Sequence, residues 1–83
     1  MNILSEYIKA LIRRLESKGL TKSEIPGFVW SLKSCLLNKP QMNCYQLNER
    51  LRHLGWGDFL LDYHTLQLAI ACFETDGFNP AEI

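Results

Sequence analysis

The chain has 83 residues, of which 47% are hydrophobic and 22% are charged, and its formal net charge at pH 7 is zero. This length accommodates one domain with a modest core, and the composition is that of a globular protein rather than a disordered one. We expect no membrane span, since no apolar run approaches the roughly 18 residues that cross a bilayer. We also expect no signal peptide, since the sequence does not begin with a charged segment followed by an apolar stretch.

Leucine dominates the sequence, with fourteen copies against a single valine, which favours helices over sheets. Apolar residues recur at helical spacing from residue 2 to residue 18. Asn2 is the predicted cap of this first helix. Gly19 is predicted to end it, because glycine accepts the left-handed conformation common at helix C-termini.

The start of the second predicted helix can be placed in two ways. Thr21 and Glu24 have the spacing of a capping box, whereas Ser23 is the better cap if Pro26 is to lie within the first turn. The helix is predicted to end near Pro40. Its apolar stripe is predicted to contain Phe28, Val29, Leu32, Leu36 and Leu37.

The third predicted helix begins after Asn43, with Gln46 at the matching position of a capping box. Its shared apolar face is predicted to contain Cys44, Leu47, Leu51 and Leu54. The following turn contains Trp56 between two glycines. We expect this tryptophan to seal one end of a helical bundle.

The fourth predicted helix begins at Asp62, whose side chain can cap the amides near Thr65, and ends at Asp76-Gly77. The pattern therefore predicts an all-α, compact four-helix domain with short connections over residues 1–77 and a C-terminal tail over 78–83. The one alternative element is a minor β segment near Phe59.

The three cysteines are odd in number and widely spaced, which indicates reduced thiols and a cytoplasmic protein. No two of the cysteines and histidines have the short spacing of a zinc site. We therefore expect no metal and no cofactor. No phosphate loop or nucleophile motif is present, so we also expect no enzymatic activity and no small-molecule substrate. Cys44 could still be activated by the dipole of the third helix.

The charges divide along the chain. Residues 1–41 hold seven Lys or Arg and three Glu, a net of +4, whereas residues 42–83 hold two Arg and six Asp or Glu, a net of −4. Two interpretations are open. The two halves complement each other within the fold, or they form a dipolar surface that steers a charged partner.

Nucleic-acid binding is the alternative function. The polar side of the third helix offers Gln46, Arg50 and Arg52, residue types that read base edges in a helix-turn-helix. The zero net charge argues against this reading, because duplex affinity depends on neutralising several phosphates.

Protein–protein interaction is the function that the sequence favours. The fourth helix is apolar on nearly all sides, so Leu68, Ala71 and Cys72 should need a cover, and Trp30 lies off the apolar stripe of its helix. The sequence thus predicts a non-enzymatic, self-associating interaction module, with a homodimer or a partner protein at these four residues. The alternative cover is the chain's own tail, through Phe78 and Ile83.

Overall fold

The computed structural model describes residues 3–57, 59–75 and 77–79 and contains four helices. These are α1 (Ile3–Ser17), α2 (Ile25–Asn38), α3 (Cys44–His53) and α4 (Tyr63–Phe73). No strand is present in the described part of the chain, so the all-α, four-helix prediction is confirmed. None of the helices is long and apolar enough to cross a membrane, as far as these residues show.

The helices pack in two pairs, α1 against α4 and α2 against α3. One continuous core joins the pairs, and it also takes in residues of the connections. Its buried side chains are Leu11, Leu15, Leu20, Ile25, Phe28, Val29, Leu32, Cys35, Leu47, Leu51, Phe59, Leu61, Leu66, Ala69 and Cys72.

Two helices end in the same way, at a glycine. Gly19 follows α1 with φ of 110°, and Gly55 follows α3 with φ of 101°. In each case the next residue donates its amide back to the helix, from Leu20 to the Leu15 carbonyl and from Trp56 to the Leu51 carbonyl. This six-to-one bond turns the chain sharply and directs Leu20 and Trp56 back toward the core.

The start of α2 differs from both predicted starts. Residues 21–24 form a turn in which the Glu24 carboxylate accepts the Thr21 amide at 3.0 Å, and α2 begins at Ile25 without a side-chain cap. Half of the predicted capping box is therefore present, but it closes the turn before the helix. Pro26 lies in the first turn, where its missing N–H costs no helical hydrogen bond.

The predicted caps at Asn43 and Asp62 are confirmed, whereas Asn2, the predicted cap of α1, lies outside the described residues. The Asn43 side chain accepts a hydrogen bond from the backbone N–H of Gln46, and the Gln46 side chain accepts one from the backbone N–H of Asn43. These two bonds complete the capping box of α3. The Asp62 carboxylate accepts the Thr65 amide at 2.8 Å and caps α4. Both residues have the extended backbone that an N-cap requires.

Residues 59–62, before α4, have no regular secondary structure. The Asn48 side chain donates to the Leu61 carbonyl at 3.0 Å and accepts the Leu61 amide at 2.8 Å. One side-chain amide thus supplies both hydrogen bonds that a neighbouring strand would have supplied. The minor β element expected near Phe59 is replaced by this contact with α3.

Three aromatic rings close one end of the core. Phe28 contacts Trp56 edge-to-face at 5.4 Å between ring centroids and Phe59 at 4.5 Å. The Trp56 indole N–H donates to the Ser31 hydroxyl at 3.2 Å. Trp56 is therefore half-buried against the core, between the turn after α3 and the residues of α2.

Replacing Phe28 with Ala should lower the free energy of unfolding by about 3–5 kcal/mol, because it removes a fully buried ring. Leu37→Ala on the same helix is the matched control, since Leu37 is exposed, and it should change stability by no more than about 0.5 kcal/mol. Urea denaturation followed by circular dichroism measures both. Equal losses in the two variants would contradict this assignment of the core.

Candidate interaction surface

The outer face of α2 carries two large apolar side chains in solvent. Trp30 is 60% exposed and Leu37 is 73% exposed. The two residues are seven positions apart, which places them on the same side of a helix, two turns from each other. Trp30, which lies off the apolar stripe in the sequence, is therefore exposed within this chain, whereas the prediction that Leu37 is part of the buried stripe is wrong.

Leu54, at the C-terminal end of α3, borders this face. It is 52% exposed, although the sequence places it on the buried face of α3. It helps to line an open cavity of about 450 Å³ together with Ser34 and Asn38 of α2. Ser34 lies between Trp30 and Leu37 in the sequence, and Asn38 directly follows Leu37. We call Trp30, Leu37 and Leu54 the α2 ridge.

The surroundings of the α2 ridge are cationic. Lys39 and Arg50 line the same cavity as Leu54, and the Lys33 ammonium lies 5.5 Å from the centre of the Phe78 ring on the other flank. No Asp or Glu occurs within α2. The ridge is thus an apolar strip with positive charge on both sides.

Cys35 forms part of the floor of the cavity and is buried. Burial raises the pKa of its thiol, and the nearby Arg50 guanidinium opposes that rise. Burial likewise raises the pKa of Cys72 to about 11. Neither thiol is therefore prepared to act as a nucleophile at neutral pH.

Cys44 does not have the activated thiolate that its place at the start of α3 can suggest. It is half-buried, and burial raises its pKa, with a further rise from the Asp62 carboxylate. Burial and the neighbouring carboxylate both oppose formation of the thiolate. The three cysteines are all free.

The predicted interface on α4 is corrected in one residue. Cys72 is fully buried by the chain itself, so it needs no cover from a second molecule. Leu68 and Ala71 are half-buried and keep part of their surface in solvent. The sequence pattern overstates the exposed part of α4, because Cys72 is buried together with Leu66 and Ala69.

The beginning of the predicted tail packs on the domain. Phe78 is half-buried and its ring lies 5.4 Å from that of Phe73 at the end of α4. Ile83, the other residue expected to cover α4, lies outside the described residues.

The three predicted nucleic-acid contacts do not gather on one surface. Gln46 is engaged in the capping box of α3, and Arg52 forms an ion pair with Glu49. Arg50 is exposed but lies two positions from Arg52, on the other flank of the helix, beside the cavity. Arg52 therefore lies apart from Gln46 and Arg50, which are four positions apart and share a side of α3.

A second group of exposed apolar residues is separate from the α2 ridge. Tyr45 is 74% exposed, Leu60 73% and Tyr63 65%. Tyr45 lies on the flank of α3 that carries Asn48, whose hydrogen bonds hold the segment that contains Leu60. Leu54 is on the opposite flank, so these residues serve as a control surface for the ridge.

Opposite charges from the two halves of the chain meet at Asp62. Its carboxylate accepts hydrogen bonds from Arg14 at 3.1 Å and from Lys18 at 3.2 Å, both on the basic half. Hydrogen bonds from Thr65 hold the pKa of Asp62 well below its usual range, and Lys18 and Arg14 lower it further. These contacts support the interpretation that the halves complement each other within the fold.

Sequence reasoning missed Leu37 and Leu54 as surface residues. A signal for Leu37 was available, because it lies seven positions after Trp30, which the sequence had already placed off the stripe. Leu54 had no such signal: its exposure follows from the end of α3 at His53, and a boundary is less certain from sequence than the helix itself.

Comparisons of the chain with protein-family models, with curated proteins and with solved structures find no match.

Asp62→Asn should lower stability at neutral pH, since it keeps a capping oxygen but removes the charge that holds Arg14 and Lys18. The contribution of a carboxylate with a lowered pKa is complete above about pH 4, the usual value for aspartate, and is lost as the pH falls further. The stability difference between wild type and variant should therefore shrink below about pH 4. Denaturation from pH 7 to pH 2 tests this, and a difference that is constant with pH would contradict it.

At neutral pH the native thiols should react slowly with a disulfide reagent, because the pKa of each is raised. Cys44 should react first, as it is the half-buried one, and Cys44→Ser should remove the fastest phase. The denatured chain should show all three thiols. A fast phase that persists in Cys44→Ser would contradict the assignment.

Proposed function

We propose that this chain is a non-enzymatic protein–protein interaction module and that the α2 ridge is its contact surface. The observation that carries the proposal is the pair Trp30 and Leu37, both large, apolar and mostly in solvent on one side of one helix. Tryptophan is enriched among the residues that dominate binding energy at interfaces. The three free cysteines of the chain are typical of a protein in a reducing compartment such as the cytoplasm.

The arrangement around the ridge fits this role. Interfaces commonly combine an apolar centre with a polar and charged rim, and the ridge has Ser34, Asn38 and three cations at its edges. The residues beneath it, Val29 and Leu32, are buried, so the two exposed side chains stand on a packed helix. A rigid platform lowers the entropy lost on binding.

Self-association was the form of interaction expected from α4. The burial of Cys72 removes one of the three α4 residues on which that expectation depended. Leu68 and Ala71 remain as a smaller contact, so we propose α2 rather than α4 as the principal surface.

Trp30→Ser should abolish recognition of peptides that bind the ridge. A displayed library of random peptides, long enough for four helical turns, is selected on the wild-type protein, and each binder is then measured on Trp30→Ser and on Tyr45→Ser. We expect most binders to lose about tenfold or more in affinity on Trp30→Ser and to keep it on Tyr45→Ser. Binders that ignore Trp30, or depend on Tyr45, would contradict the choice of surface.

A further inference from the structure

The charges around the α2 ridge identify the chemistry of its partner. We propose that the ridge binds an acidic amphipathic helix of another protein, with apolar side chains on one face and carboxylates beside them. The inference rests on the proposed function and adds the charge and the shape of what binds.

The sign of the charge comes from three cations. Lys33 lies on one flank of the ridge, and Lys39 and Arg50 lie on the other, in the wall of the cavity. None of the three forms an ion pair with a described residue. They differ in this from Arg14 and Lys18, whose charges are taken up by Asp62 within the fold. Among the described residues no carboxylate pairs with these cations, so carboxylates of a partner would meet positive charge on both sides of the apolar strip.

The shape comes from the spacing of the apolar residues. Seven positions at the rise of an α-helix place Trp30 and Leu37 about 10 Å apart along α2. A partner helix presents apolar side chains at i, i+3, i+4 and i+7 over the same length, which is the usual pattern for helices that dock into grooves. The cavity beside Leu54 can accept one of these side chains.

A second copy of the chain fits the ridge less well. In a two-fold pairing of α2 with itself the axis would pass midway between Trp30 and Leu37, at Lys33 and Ser34. The two Lys33 ammonium groups would then lie on the same flank of the contact, close to the axis, where like charges oppose association. The missing carboxylates on α2 leave nothing to offset them.

Three synthetic helical peptides test the sign of the charge. All three carry leucine at i, i+3, i+4 and i+7. At the remaining positions alanine alternates with one polar residue, which is glutamate in the first peptide, glutamine in the second and lysine in the third. Their affinities for the full chain are measured by isothermal titration calorimetry at low and high salt. We expect the glutamate peptide to bind at least about tenfold more tightly than the glutamine peptide, and the difference to shrink at high salt.

Charge variants of the protein give the matched comparison. Lys33→Gln with Lys39→Gln should remove most of the preference for glutamate, and Lys33→Glu with Lys39→Glu should reverse it in favour of the lysine peptide. Lys9→Glu with Lys22→Glu on the surface beside α1 changes the net charge equally and should leave the preference intact. Circular dichroism confirms that each variant keeps its helices.

The outcomes separate the inference from the proposed function. The inference would be overturned if the three peptides bind with equal affinity or if none of them binds. It would also be overturned if Lys9→Glu with Lys22→Glu changes the preference as much as the variants of Lys33 and Lys39. The proposed function would survive these results if the library still yields binders that depend on Trp30. If sedimentation shows that the wild type is a dimer and that Leu37→Glu is a monomer, a second copy binds the ridge. This result would overturn the inference as well.

Discussion

The carboxylate of Asp62 is the contact on which the arrangement of the helices depends. One oxygen caps α4 through the Thr65 amide, and the other accepts Arg14 and Lys18 from α1. The Arg14 guanidinium also reaches the buried Thr65 hydroxyl at 3.4 Å. The same side chain therefore starts one helix and fixes its position against another. Ion pairs on a surface usually contribute little to stability. Here both cations pair with the Asp62 carboxylate, which the Thr65 backbone amide already holds in place.

The polar contacts that position the connections leave α2 free to carry the exposed ridge. Asn48 holds the segment before α4 against α3, and the aromatic cluster at Trp56 closes the end of the core. Because these contacts complete the core without the outer face of α2, Trp30 and Leu37 are not needed for folding.

Much of the fold could be predicted from the sequence, and the reason lies in local chemistry. The caps at Asn43 and Asp62 and the stop at Gly19 depend on residues within one turn, so their signals are complete in the sequence. The burial of Cys72 and the hydrogen bonds of Asn48 to Leu61 depend on partners from distant parts of the chain. The same limit applies to the candidate site: Trp30 could be found from its helix alone, whereas Leu54 becomes part of the ridge only through the packing of α3 on α2.

The pairing of the first helix with the last has a consequence for how the protein is made. While the chain is synthesised, α2 and α3 can pair as soon as both have left the ribosome, but α1 finds its partner only when α4 has emerged. Until then the apolar face of α1, with Leu11 and Leu15, has no cover from α4. The contact between Arg14 and Asp62 joins residues 48 positions apart in the chain, so closing this loop costs more entropy than pairing the neighbouring helices α2 and α3.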